Sequence, residues 1–233
     1  MIRMFKELKG SYRFVLIIVA LLFLQAYCDL SLPSYTSNII NVGVQQGGIE
    51  DSVPDEIRSS SMEQLMLFMD EDDQETVKEA YELTDEIYTL KKIGDDQREQ
   101  LNEILGVPMV AVESLREGDT ADAIKEQMGL PAQADLLETF AALPEEQRSQ
   151  MTGQLTEQLE EMPDSIITQS SVAYIRQEYQ EMGKDLDQIQ MQYVLFSGLK
   201  MLGFAAVIMA ASVLVTFLSC RVAAKLGHDL RNK

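Results

Sequence analysis

The run Phe14-Val-Leu-Ile-Ile-Val-Ala-Leu-Leu-Phe-Leu24 is unbroken by any polar residue, and its reading decides the class of the protein. With Gln25, Ala26, Tyr27 and Cys28 admitted, it reaches Leu32 and Pro33. That is about 19 residues, or roughly 28 Å as a helix, close to the thickness of a bilayer's hydrocarbon layer. A second run, Met201 to Cys220, carries no charge and is rich in Ala, Val, Leu and Met. Arg3, Lys6, Lys9 and Arg13 precede the first run, and Arg221, Lys225, Arg231 and Lys233 follow the second. By the positive-inside rule this places both termini in the cytoplasm. A cleaved signal peptide also begins with basic residues and an apolar run. Here the run continues past Gln25 without a small-x-small cleavage site, so a retained span is the expectation.

Charge divides the chain in the same places. Of the 38 acidic side chains, 36 lie between Asp29 and Gln190, a stretch with only 10 of the 19 basic ones. The net charge of -19 therefore belongs to the middle, and a nucleic-acid partner is not expected. The expected fold is an all-α membrane protein with two long transmembrane helices flanking a helical extracytoplasmic domain. Residues 1–40 form the cytoplasmic N-terminus and first span, 41–190 the acidic outer domain, and 191–233 the second span with its cytoplasmic extension. The setting is a multi-pass plasma-membrane protein. Cys28 and Cys220 lie near opposite ends of their spans, too far apart for an internal disulfide.

Within the middle, Gly43, Gly47, Gly48, Pro54 and the serines 59–61 predict an irregular exit from the first span. Ser61 and Gln64 have capping-box spacing, with Met62, Leu65, Met66 and Met69 on one helical face after them. Helices are expected over 73–92 and 95–105, with Gly94 and Gly106 as stops, and from Asp119 or Thr120 to Gly129. Pro131 and Pro144 suit the first turns of further helices, the latter carrying Met151, Leu155, Leu159 and Met162 as a stripe. No segment alternates over a strand's length. Val172, Ile175, Tyr179, Met182, Leu186, Ile189 and Tyr193 recur at spacings of three and four, which predicts a packing seam on one long helix entering the second span. Gly183 is the point where that helix could break.

Motifs for chemistry are sparse. No G-x-x-x-x-G-K-[ST] loop occurs, since Gly183-Lys184 is followed by Asp185, so this chain is expected to hold no ATP site. His228 has no cluster of ligating residues around it and reads as a solvated helix residue. Nothing resembles a nucleophile with its base, so no catalytic residue, cofactor or metal is assigned. Met62, Met66 and Met69 could bind Cu(I) in principle, but thioethers on a helix are more often core filling. Asp70 to Asp73 lacks the glycine and spacing of a calcium loop and reads as a solvated turn. Lys200 can snorkel to the headgroups. Gln25, Asp29, Leu32 and Thr36 share one face of the first span. Polar groups in hydrocarbon usually face protein or a water-filled cavity, which makes Gln25, Asp29 and Thr36 candidates for a translocation pathway. The alternative is that Asp29 is simply hydrated at the outer interface.

The run Asp29-Leu-Ser-Leu-Pro33-Ser-Tyr-Thr-Ser-Asn-Ile39-Ile-Asn41-Val-Gly43-Val, together with Arg221-Val-Ala-Ala-Lys-Leu-Gly-His-Asp229-Leu230-Arg231, resembles the start of the transmembrane domain of ABC exporters. The positions that carry it are Pro33, Ile39, Asn41, Gly43, Asp229, Leu230 and Arg231, and it covers roughly residues 1–48 and 190–233. Most such exporters join these spans by a short loop. The long insertion is similar to that of a subset of bacterial multidrug-type half-transporters with an enlarged outer domain. The resemblance implies a six-span half-transporter, homo- or heterodimeric, with a nucleotide-binding domain using ATP and magnesium. This chain would be the first two spans, partnered by the lipid bilayer, the remaining spans and that domain, and would not transport alone. The rival layout is a bacterial chemoreceptor or sensor kinase, in which two spans flank a helical ligand-binding domain.

Overall fold

The computed structural model describes residues 12–116, 119–129, 131, 134–144, 152–153, 156, 159 and 162–231. The chain divides into two compact units, Met1–Gln45 with Met191–Lys233, and Gln46–Gln190. We call them the apolar hairpin and the acidic unit.

Helix α1, Tyr12–Asn38, continues without a break into a wider π-helical stretch, Ile39–Gln45. The last helix, α8, runs over Leu186–Arg231. The apolar stretches Tyr12–Gln45 and Leu186–Lys225 have peak mean hydropathies of 2.2 and 2.4. Only 6% of each apolar window is buried by the protein itself, unlike the core helix of a water-soluble fold. Both helices are long and apolar enough to cross a membrane. At 1.5 Å per residue α8 measures about 69 Å, more than twice the thickness of a bilayer's hydrocarbon layer.

The acidic unit is mostly helical, as expected, but it also contains a small sheet that the sequence pattern hid. Strands β1 (Glu56–Arg58), β2 (Tyr81–Thr84) and β3 (Ile87–Leu90) pair antiparallel in the order β1-β3-β2. The register sets Ile57 opposite Tyr88 and Leu83 opposite Tyr88 on the other edge. Asp85 and Glu86 form the β2–β3 turn with φ of 50° and 64°. Two consecutive positive φ values suit a two-residue hairpin turn, which usually recruits Asn-Gly or Asp-Gly. The helix expected over 73–92 is therefore α3, Glu71–Ala80, followed by this hairpin.

Helix α2, Ser59–Met66, starts before Ser61, and its N-cap position, Arg58, makes no side-chain cap. The expected capping box does not form because tertiary partners take both side chains. The Ser61 hydroxyl donates to Glu178 at 2.8 Å, and Gln64 accepts from Arg116 at 2.8 Å. Met62, Leu65 and Met69 are buried in the core and Met66 packs against it. Asp70 to Asp73 is a helix start rather than a plain turn. Asp70 accepts from the Asp73 amide at 2.8 Å, and the acidic first turn of α3 suits the positive end of the helix dipole.

Helix α4, Asp95–Arg116, does not stop at Gly106 but runs on through Pro108. Packing overrides the local signal here. α4 crosses α7, Asp164–Glu181, where a Cβ on Gly106 would lie 2.9 Å from Ile167 Cγ2. Ser171 Oγ donates to the Gly106 carbonyl at 3.1 Å across the same crossing. Glycine therefore serves the crossing and not a cap. Helix α5, Asp119–Met128, ends at Gly129 with φ of 64°, as its sequence predicts. Pro131 opens no helix. The next one, α6 (Leu136–Ala141), begins five residues later, where Asp135 caps the amides of Leu137 and Glu138. Of the stripe after Pro144, Met151 and Leu155 lie outside the described residues, Leu159 packs against the core, and Met162 is exposed.

The seam at spacings of three and four is present, but the single long helix is not. Gly183 has φ of 73°, and the Lys184 amide donates back to the Tyr179 carbonyl at 2.9 Å, which closes α7 with a Schellman-type stop. Val172, Ile175 and Tyr179 on α7 and Leu186 and Ile189 on α8 then share one core with Met182 between them. The loop after the first apolar helix is fastened to α4. Arg98 grips Asp51 at 2.5 and 2.9 Å, and Asn102 accepts from the Ser52 amide at 2.8 Å.

Candidate functional site in the apolar hairpin

Three contacts fix α1 against α8 as an antiparallel pair. Tyr35 and Phe204 have ring centroids 5.2 Å apart, the Arg221 guanidinium lies 5.6 Å from the Phe14 ring centre, and Gly43 abuts Val194. The buried and half-buried positions of α1 and the π-helical stretch after it include Phe14, Ile18, Leu21, Gln25, Cys28, Leu32, Tyr35 and Ile39. Those of α8 include Val194, Ser197, Met201, Phe204, Ile208, Ala211, Val215, Leu218 and Val222. Both sets recur at three and four, the pattern of two helices packed along a shallow crossing. Small side chains sit deepest, with Cys28 and Ala211 each 2% exposed. That is how membrane helices gain close backbone approach.

Gly43 is buried at the end of this seam. A Cβ there would meet Val194 Cγ2 at 2.9 Å and the Tyr193 ring at 3.4 Å, so the position demands the smallest residue for steric reasons. We expect Gly43→Leu to wedge the helices apart and to lower hairpin stability by about 1–3 kcal/mol. Unfolding in mixed micelles followed by circular dichroism reads that loss, with Gly43→Ala falling between.

The four residues that share a face in the sequence are divided by the seam. Gln25 and Leu32 are half-buried on it, whereas Asp29 and Thr36 are exposed on the adjoining flank. Thr36 Oγ1 donates to the Leu32 carbonyl at 3.1 Å, and Ser31 Oγ to the Tyr27 carbonyl at 2.8 Å, so both hydroxyls are satisfied within the helix. Pro33 has no amide hydrogen to offer the Asp29 carbonyl one turn below. The flank therefore gathers a carboxylate and a main-chain carbonyl without its helical donor at the same turn. Further along, Asn41 Nδ2 donates to Ser37 Oγ at 3.2 Å, both exposed, while Ile39 is half-buried. Around these groups the free surface is apolar, with Phe23 and Leu30 on α1 and Leu195, Leu202 and Met209 on α8 each more than two-thirds exposed.

The remaining sequence-derived positions do not join this flank. Asp229, Leu230 and Arg231 occupy the last turn of α8, where the side chains of Asp229 and Leu230 lie outside the described residues. His228 is exposed on the same turn. Lys200 is exposed with its ammonium 4.6 Å from the Phe196 ring centre. Cys220, next to Arg221, is level with Phe14, about 21 Å along the helix from Cys28. Both cysteines are free.

Sequence reasoning missed the strongest electrostatic cluster, which lies in the acidic unit. The Glu178 carboxylate, 2% exposed, accepts from Arg58 Nε at 2.8 Å, Arg58 Nη2 at 2.7 Å, the Arg58 amide at 3.0 Å and Ser61 Oγ at 2.8 Å. Arg58 also pairs with Glu181. Burial pushes the Glu178 carboxyl up, but the hydrogen bonds from Arg58 and Ser61 outweigh it and hold the group below the usual carboxylate range. No local signal marks such a pair, because its partners are more than a hundred residues apart in the chain. Among the described residues no group of three or more His, Cys, Asp or Glu side chains is placed to hold a metal ion. Comparison with protein-family models, curated proteins and solved structures found no match to this chain.

Proposed function

We propose that this chain forms the opening hairpin of the membrane domain of an ATP-driven exporter of the ABC type. α1 and α8 would be its first two spans, the acidic unit would stand outside the cell, and ATP hydrolysis would reside in another part of the assembly. The observation that carries the reading is the Asp29 flank. A carboxylate on a membrane helix is disfavoured against lipid and is usually turned to protein or to water in a cavity. Asp29 is exposed away from the hairpin's own seam, and Pro33 has no amide hydrogen to offer its carbonyl. Further spans packed on that flank would place both groups along a pathway, and Gln25 at the seam's edge would support them. The resemblance of the Asp29–Val44 and Arg221–Arg231 runs to exporter membrane domains points the same way, and the tight Gly43–Val194 approach gives one of its positions a steric reason.

The test is Asp29→Asn in the complete transporter in membranes, with transport and surface expression measured together. A fall in transport of about tenfold or more at unchanged expression is expected. Unchanged transport would assign Asp29 to a hydrated interface and remove the main support. The sensor layout finds some support in α8, which runs as one helix from residues packed on the acidic core, Leu186 and Ile189, into the apolar segment. A kinase or methyl-accepting region downstream in the gene would favour it, and four more spans with a phosphate-binding loop would favour the exporter.

A further inference from the structure

A cleft of about 520 Å³ opens in the acidic unit where α2, α4, α5, α6 and α7 converge. That is within the usual range for small-molecule sites. Its wall carries Glu113 and Arg116 from consecutive turns of α4, with Lys125 from α5 on the positive side. Leu136 and Leu137 at the start of α6 back the cleft but are buried in the core, so the lining open to a ligand is mainly polar. Opposite charges three residues apart on a helix ordinarily pair with each other. These two do not, and neither takes part in any ion pair found among the described residues.

The guanidinium of Arg116 is held in place by other means. It donates to Gln64 Oε1 at 2.8 Å, and its Cζ lies 5.0 Å from the centre of the Tyr174 ring. Both contacts fix its position, and neither is with an opposite charge. Glu113 Oε2 is screened from water and accepts no hydrogen bond. A carboxylate in that condition is costly unless a donor reaches it. By contrast Asp135, on the rim, is already committed to capping α6. The cleft thus presents one fixed positive group and a half-buried carboxylate with one oxygen that lacks a donor.

We propose that this cleft binds a small zwitterion of the amino-acid type, with its ammonium at Glu113 and its carboxylate at Arg116. The inference rests on the acidic unit alone and stands whether or not the hairpin belongs to an exporter. Each charged group of the ligand would meet an opposite charge in a partly desolvated setting, where such hydrogen bonds are strongest.

The experiment is calorimetric titration of the whole chain in lipid nanodiscs with the L-amino acids, each tested singly at millimolar concentration. Binding of one or more is expected. For whichever binds best, the amide analogue, which lacks the carboxylate, and the des-amino acid, which lacks the ammonium, should each bind at least about tenfold more weakly. Glu113→Gln should weaken the parent amino acid by a similar factor. The ligand analogues probe both charges on the unaltered protein, so the outcome does not hang on a variant folding. Absence of binding by every amino acid, equal affinity for either analogue, or affinity unchanged in Glu113→Gln would each overturn the proposal.

Discussion

Arg58→Ala is expected to destabilise the acidic unit by about 3–5 kcal/mol, the scale for leaving one member of a buried ion pair without its partner. The substitution keeps the main-chain amide that Glu178 accepts but removes both guanidinium bonds, leaving Ser61 as the only side chain that donates to a carboxylate 2% exposed. Chemical unfolding of the solubilised chain followed by tyrosine fluorescence measures the loss. A deficit under about 1 kcal/mol would mean that the pair behaves like an exposed one. The same cluster sets a pH dependence. Because Glu178 is held below the ordinary carboxylate range, the folded unit binds its proton less readily than the unfolded chain. The resulting stability is present above the unfolded glutamate value and is lost as pH falls through the lower native value. In Arg58→Ala the guanidinium bonds that help to depress the carboxyl are gone while those from the residue-58 amide and Ser61 remain, so this acid-side loss should shift to higher pH.

Gly48→Val should cost about 3 kcal/mol or more, from two causes that add. Gly48 has φ of 86°, which a β-branched residue adopts only under strain. Its Cβ would also lie 2.9 Å from both Gln190 Cα and the Ile189 carbonyl oxygen. Those are main-chain atoms of α8, so no side-chain rotation can relieve the clash. Gly94→Ala is the matched control, with no heavy atom within 4 Å of the added carbon, and should change stability by less than about 0.5 kcal/mol. Similar losses in the two variants would show that Gly48 is not a close-approach position.

What could be read in advance was whatever repeats along the chain. The two apolar runs, the α5 stop at Gly129 and the alternation of three and four from Val172 to Ile189 are local patterns, and each has its counterpart in the structure. Failures occurred where a residue's partner is distant. Ser61 reads as a cap but is taken by Glu178, and Gly106 reads as a stop but serves a helix crossing. The β2–β3 hairpin escaped because Asp85-Glu86 holds a turn that normally advertises itself with glycine. In the first span the polar residues were visible, but uniform greasiness hid the hairpin seam. Only the packing of Tyr35 on Phe204 and Gly43 on Val194 separates Gln25 and Leu32 from Asp29 and Thr36.

The closeness of Gly48 to Gln190 means that the acidic unit begins and ends at nearly one point, and the Gly43–Val194 approach closes the hairpin's own mouth in the same way. A segment whose two ends meet needs no fixed length between them. Residues can be added to it or removed from it without moving the points at which it starts and ends.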